Sequence, residues 1–259
     1  MSFAHKNRIT EAGEMDFAPS NSDSVQEQLN ALINTALEEI QAQQTPRDYL
    51  GGSRLGVECL RALYYEYTNT PKDAGKDFPG RVLRRFRMGH WCEDEVAYLM
   101  RRAGFDLRTN KPGGEQYGFA VAKGKIAGHI DGVLLGGPIQ AFTYPALWEN
   151  KVMNNKKWNE CNKKTVKKSH PVYYYQMQTY CAYLELPFWV FTAYNSDTSD
   201  ILTQYGPVDL EAAQWATDRG VQVITAQQAE ALPRITKDET DVRCKDWCAW
   251  YAKCWGKHA

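Results

Sequence analysis

No apolar stretch in this 259-residue chain approaches the roughly 20 consecutive residues that a membrane-spanning helix needs, so no membrane contact is expected. The opening segment, Met1-Ser2-Phe3-Ala4-His5-Lys6, lacks the apolar core of a secretory signal, and a cytoplasmic location is expected. Net charge is lacking too, because 31 Lys and Arg side chains offset 31 Asp and Glu. That excludes a uniformly basic coat for nucleic acid but leaves room for a local basic groove. No glycine-rich phosphate loop is present, which excludes an ATP-driven motor of the P-loop kind. Seven cysteines are too few for a disulfide scaffold at this length, and clustered thiols in such a chain point to metal or redox chemistry.

What is present is the composition of an ordinary globular protein, 43% hydrophobic and 24% charged, long enough to bury a sizeable core. Residues 1–22 are polar and irregular and are expected to be a flexible tail. Over residues 23–45, Val25, Leu29, Leu32, Ile33, Ala36, Leu37 and Ile40 recur at helical spacing, and Ser24 with Glu27 forms a capping box. An amphipathic helix docked on the body is expected there, ending before Thr45-Pro46. Residues 46–259 are expected to form one domain. Helices are predicted over Ser53–Tyr67 and Arg81–Gly104, and strands over Phe119–Ala122, Lys125–Leu135 and Ala146–Met153. A lysine-rich connection follows, then a helix from Pro171 to about Leu186, a strand over Phe188–Asn195 and a helix over residues 209–231. The order implies an α/β or α+β core with a central mixed sheet flanked by helices.

Within this frame Asp131 stands in the middle of a predicted strand, where its side chain loses solvation and competes for backbone hydrogen bonds. The other reading of Asp131-Gly132 is a hairpin turn, although Gly136-Gly137-Pro138 is the better turn. In the next strand the period of two places Glu149 and Lys151 on one face, with Trp148, Asn150 and Val152 on the other. Two carboxylates converging from neighbouring strands suit a hard cation such as Mg²⁺ or Mn²⁺. Such a cation activates water and neutralises charge on a phosphate, and a lysine beside it can position that water. A Glu-x-Lys pair by itself is equally a solvated strand face.

At Asp131, Glu149 and Lys151 the sequence resembles the PD-(D/E)XK nuclease superfamily, with Gly128-His129-Ile130 standing where the proline usually lies. The resemblance implies a restriction-endonuclease-like fold, catalysis by these three residues, and metal held by Asp131, Glu149 and the Asn150 backbone. Upstream, Met88-Gly89-His90-Trp91-Cys92-Glu93-Asp94-Glu95 opens an amphipathic helix with His90 and Glu93 on one face. The RecB-like branch carries a histidine or glutamate at this place, which implies His90 as a further metal ligand and Glu93 as its substitute or neighbour. Downstream, Gln176 and Tyr180 share a helical face in a Gln-x-x-x-Tyr pattern similar to the one that contacts DNA in that branch. The plainer reading is a polar stripe on a helix whose other face is core.

Cys244, Cys248 and Cys254 crowd the C-terminal region, and Cys59 stands far upstream. Three clustered thiols suit zinc or an iron–sulfur cluster, which takes four thiolates. One cysteine before the core and three after it resembles the iron–sulfur staple of the AddB and CRISPR-associated RecB-like exonuclease families. This implies a 4Fe-4S cluster, with Zn²⁺ as the alternative, on Cys59, Cys244, Cys248 and Cys254. The first C-terminal pair is spaced Cys-x-x-x-Cys, where those families usually show Cys-x-x-Cys. Cys181 reads as core, while Cys92 and Cys161 have no assigned role.

Lys156, Lys157, Lys163 and Lys164 lie between the Glu-x-Lys strand and the Gln-Tyr helix, placed for phosphate contacts. Trp158 and Tyr173 to Tyr175 are candidates to stack on unpaired bases, which favours single strands or DNA ends. The expectation is a metal-dependent DNA exonuclease of repair, recombination or phage DNA processing, with unwinding left to a partner helicase or recombinase. Two alternatives stay open: a non-catalytic DNA-binding or recombination accessory protein of this fold, and a zinc-stapled structural protein.

Overall fold

The computed structural model describes residues 22–257. The tail expected over residues 1–22 falls, up to residue 21, outside the described residues. In chain order the elements are α1 (Ser22–Ala42), β1 (Leu50–Gly51), a 3-10 turn (Gly52–Arg54), α2 (Leu60–Tyr67), α3 (Gly80–Arg102), β2 (Asp106–Arg108), β3 (Gly118–Val121), β4 (Ile126–His129), β5 (Gly132–Gly136) and β6 (Ala146–Met153). There follow α4 (Asn155–Ser169), α5 (Pro171–Tyr183), β7 (Phe188–Asn195), β8 (Ile201–Pro207), α6 (Leu210–Thr225), a second 3-10 turn (Ala229–Ala231), α7 (Val242–Lys245) and α8 (Tyr251–Trp255).

The chain divides into two compact units. The smaller contains α1 and the segment Phe78–Arg85. Inside it the Gly80 N–H donates to Glu38 Oε1 at 2.7 Å, and Arg84 donates to Asn30 Oδ1 at 3.0 Å. Val25, Leu29, Leu32 and Ile40 of α1 are exposed.

The larger unit is built on a five-stranded mixed sheet in the order β2-β5-β6-β7-β8, in which only β6 and β7 run parallel. A second, three-stranded sheet has the order β1-β4-β3. The central strand β6 is buried on both faces. Leu147 packs in a core with Met177, Tyr180 and Phe191, and Trp148 in another with Cys92, Val96, Ala97 and Val190. Helices therefore cover both faces of the central sheet: α4 and α5 on one, the larger unit's part of α3 on the other. This is the α/β arrangement that the order of elements implied.

Three local expectations are corrected. The run from Lys125 to Leu135 is two strands, because β4 pairs with β3 and β1 while β5 pairs with β2 and β6. The chain leaves one sheet and enters the other at Ile130-Asp131, so Asp131 is neither mid-strand nor a hairpin turn. Periodicity is unbroken across such a bend, which is why the pattern hid it. The lysine-rich connection is the helix α4, started by the Asn154 side chain accepting the Lys157 N–H at 3.0 Å. Its inward residues Trp158, Cys161 and Val166 are too sparse to dominate the pattern. At Thr165 (φ 65°, ψ 157°) the helix breaks, and Gln204 mends it by donating to the Cys161 carbonyl at 3.0 Å and accepting the Val166 N–H at 2.7 Å. The edge strand β8 was missed.

Tyr180 is the point at which the two sheets' elements meet. It is 2% exposed, and its ring lies so close to Gly52 and Gly128 that a Cβ on either would sit 2.7 Å from its Cε1. The substitution Gly128→Ala is expected to destabilise the protein by about 1–3 kcal/mol, since a buried ring and Phe119 must both move. Gly89→Ala, on the open side of α3 with nothing within 4 Å, is expected to be neutral or stabilising. Thermal denaturation of the two variants checks this, and equal melting temperatures would contradict it.

Candidate active site

The antiparallel register pairs Gly132 with Trp148, which brings Asp131, one residue before, alongside Glu149. The Asp131 carboxylate accepts the backbone N–H of Asn150 at 2.8 Å. Glu149 is fully buried, and its Oε1 accepts from Gln176 Nε2 at 2.5 Å and from Lys151 Nζ. Its other oxygen, Oε2, is buried with no hydrogen-bond partner. On the opposite face of β6, Asn150 Oδ1 accepts from Thr192 Oγ1 at 2.8 Å, and that hydroxyl oxygen accepts from Trp148 Nε1 at 3.0 Å. This chain of bonds fixes the strand from behind while Glu149 and Lys151 face α5.

The electrostatics are those of carboxylates crowded in a dry site. Burial, and then the Asp131 charge, push Glu149 up to about 8 against the pull of Lys151. Burial also raises Asp131, countered by Lys151, the Asn150 N–H and His90. Glu93 of α3 is pushed up to about 7 by burial and by Asp131, so it belongs to the same cluster. Burial alone would lower Lys151, but Glu149 and Asp131 outweigh it and hold the ammonium protonated. Concentrated negative charge and an unpartnered buried oxygen are what a hard divalent cation satisfies, and Asp131, Glu149 and the Asn150 carbonyl have the donor chemistry to hold one. Among the described residues no three His, Cys, Asp or Glu side chains form a ready-made ligand group. Mg²⁺ commonly makes do with one or two carboxylates and keeps several waters.

Of the α3 residues, Glu93 is the better enclosed. The His90 side chain is 83% exposed, with Nδ1 at 4.0 Å from Glu93 Oε2. Gln176 is 5% exposed and spent on Glu149, and Tyr180, hydrogen-bonded to Ser53, is buried behind it. Their burial makes them supports of the carboxylate. Lys156, Lys157, Lys163 and Lys164 are all exposed on α4, with Lys164 paired to Glu160 at 3.1 Å. Of the aromatic candidates, Trp158 donates to the Ala193 carbonyl at 2.9 Å, Tyr174 to Asp209 at 2.8 Å, and Tyr175 stacks on Trp215 at 4.3 Å. Tyr173 alone of the four stands against Lys151, whose Nζ lies 5.5 Å from its ring centre. His170, stacked on Tyr173, was missed in the sequence because an isolated histidine before a proline carries no pattern.

Cys59, Cys244, Cys248 and Cys254 lie near enough to one another to interact electrostatically, but they do not form a ready-made metal-ligand group. Burial, then neighbouring thiols including Cys59 and Cys254, raise both Cys244 and Cys248. Donors point at the sulfurs: Arg234 Nε at 3.4 Å and Arg61 Nη1 at 3.9 Å from Cys254 Sγ, and the Trp250 N–H at 3.5 Å from Cys248 Sγ. The segment is tied to the region after α2, with Asp73 accepting the Ala252 N–H at 2.6 Å and Trp250 donating to the Thr70 carbonyl at 2.9 Å. All seven cysteines are free thiols, and Cys92, Cys161 and Cys181 are buried elsewhere.

No protein-family model matches the sequence, and no curated protein matches it. Among solved structures the chain is similar to an alkaline exonuclease (LHK-Exo) from Laribacter hongkongensis, at 16% identity and a TM-score of 0.49, covering 72% of this chain and 91% of that one. It is likewise similar to SSO0001, at 14% identity and a TM-score of 0.48, covering 91% and 98%. The complex of LHK-Exo with dAMP aligns at 16% identity and a TM-score of 0.45, covering 71% and 89%.

The raised acids dictate how stability varies with pH. An unfolded glutamate ionises near 4.5, whereas Glu149 keeps its proton to about 8 in the folded state. Between those values the folded state binds more protons, so stability falls as pH rises. Lys151, raised above its ordinary 10.5, contributes a constant amount throughout that window. The melting temperature in chelator is therefore expected to drop by several degrees between about pH 5 and about pH 8. Glu149→Gln should flatten the profile, and a chelated wild-type protein with no such drop would show that these carboxylates are not crowded as described.

Proposed function

We propose that the chain is a metal-dependent DNA exonuclease with a restriction-endonuclease-like core, of the RecB-like PD-(D/E)XK type. The observation that carries this reading is the approach of Asp131, at the bend between two sheets, to the buried Glu149 and the Lys151 paired with it on β6. A divalent cation, Mg²⁺ or Mn²⁺, held by Asp131, Glu149 and the Asn150 carbonyl, would supply the charge that acidifies water and neutralises a scissile phosphate. Asp131 is oriented for this by the Asn150 N–H, and Glu149 by Gln176. Lys151 shares its ammonium with Glu149 and has N–H bonds left to hold the attacking water or the phosphate oxygen in line. Glu93, which feels the charge of Asp131, and His90, 4.0 Å from Glu93, would be the further α3 groups available to such a cation. The exposed lysines of α4 supply sequence-independent phosphate contacts.

A non-catalytic accessory protein is disfavoured by the same pair. Placing a charged carboxylate at the fully buried Glu149 is costly, and packing alone does not call for it.

We propose that Cys59, Cys244, Cys248 and Cys254, which interact electrostatically, would hold a 4Fe-4S cluster, with Zn²⁺ as the competing occupant. Thiolates suit either metal, and the N–H donors from Arg61, Arg234 and Trp250 are of the kind that tune cluster sulfurs. Protein purified without oxygen is expected to be brown with broad visible absorbance. A colourless protein with stoichiometric zinc would replace the cluster by a zinc staple.

Cleavage of end-labelled single- and double-stranded DNA with Mg²⁺, Mn²⁺ or chelator tests the catalytic assignment. Asp131→Ala and Lys151→Ala are each expected to lower the rate by roughly a hundredfold or more while the protein stays folded. Undiminished metal-dependent cleavage by folded Asp131→Ala would sink it.

A further inference from the structure

Beside Lys151 lies a column of three near-parallel rings. Phe191, fully buried on β7 opposite Glu149 in the strand register, lies 6.5 Å from Tyr173 at 29°, and Tyr173 lies 5.5 Å from His170 at 4°. The column starts in the core beneath the candidate site and ends at His170, which is half-buried and sits at the corner between α4 and α5.

His170 is held rigidly at that corner. Its N–H donates to the Val166 carbonyl at 2.9 Å, and its carbonyl accepts the Tyr173 N–H at 3.0 Å. Its Nδ1 lies 2.9 Å from Ser169 Oγ, whose hydroxyl donates to the Thr165 carbonyl at 2.7 Å. With the serine proton so committed, Nδ1 is the donor of the pair and Nε2 is left as an acceptor. Burial and the neighbouring Lys157 favour the uncharged ring. A flat neutral ring, held rigidly and half-exposed at the end of an aromatic column, offers a surface on which another flat ring can stack.

We propose that Tyr173 and His170 seat an unpaired nucleobase of the DNA strand being cut, with the exposed Lys157 beside them for the adjoining phosphate. This rests on the nuclease assignment above and narrows its substrate class. A base inside a duplex has both faces covered by its neighbours, so only a single-stranded or frayed-end base can extend the column. Because every base offers a π-face, the seat selects strandedness rather than sequence.

The test uses the wild-type protein in chelator, where nothing is cut, and single-stranded oligonucleotides carrying 2-aminopurine or an abasic position near the end. Binding is expected to quench the 2-aminopurine at one end position and to weaken about tenfold when that position is abasic. His170→Ala should weaken binding of the intact strand to a similar degree, add no further loss on the abasic one, and be rescued by His170→Phe. Equal affinity for intact and abasic strands at every end position, no binding of single strands at all, or a His170→Phe as weak as His170→Ala would overturn the proposal. Cleavage measured in parallel with Mn²⁺ separates the two readings. Cleavage without base-dependent binding removes only the seat, whereas quenching without cleavage removes only the nuclease assignment.

Discussion

A carboxylate with no access to water, Glu149, is the constraint around which the larger unit is organised. One of its oxygens is shared by Lys151 and Gln176, the other has no partner, and Asp131 lies alongside. Asp131 and burial make Glu149 costly to ionise, and Lys151 offsets part of that cost. Gln176 must be on α5 to reach Glu149, so α5 must pack on that face of β6. Tyr180, one turn further along the same helix, must then fill the space against Gly52 and Gly128. The packing of α5 and the chemistry of β6 are therefore one problem.

The bend at Ile130-Asp131 solves a second part of it. A straight strand would carry Asp131 within one ladder, its carboxylate aimed at a sheet face. Breaking the strand between two sheets frees the side chain to turn toward the Asn150 N–H. It also lets the smaller sheet bring the Gly52–Arg54 turn and Phe119 against α5, which completes the wall behind the site. Raised proton affinities across Asp131, Glu149 and Glu93 are the electrostatic signature of that enclosure.

Much of this was legible in the sequence, unevenly. Strands β6 and β7 appeared near their observed limits because both of their faces are buried and they read as dense apolar runs; α3 and α5 also appeared near theirs, α5 opening on Pro171. The pairing of Glu149 with Lys151 on one face followed from the strand period alone. Less was legible where burial is one-sided or sparse. α4 hid behind its lysines, β8 is an edge strand with alternating exposure, and the break at Asp131 left the pattern unchanged. His90 and Glu93 share a helical face, but nothing in their spacing told which would be enclosed.

The sequence by itself determined the alternation of helix and strand, the placement of Glu149 and Lys151 on one strand face, and the separation of one cysteine from three. These depend on local period and on residue type, which are properties of the chain. Only the tertiary structure decided that Glu149 is fully buried, that Gln176 bonds it from within the core, and that Tyr173, with His170 stacked on it, stands beside Lys151. Burial and proximity arise from contacts between residues far apart in sequence, such as Gln176 with Glu149 or Gln204 with the kink of α4, and no local pattern carries them.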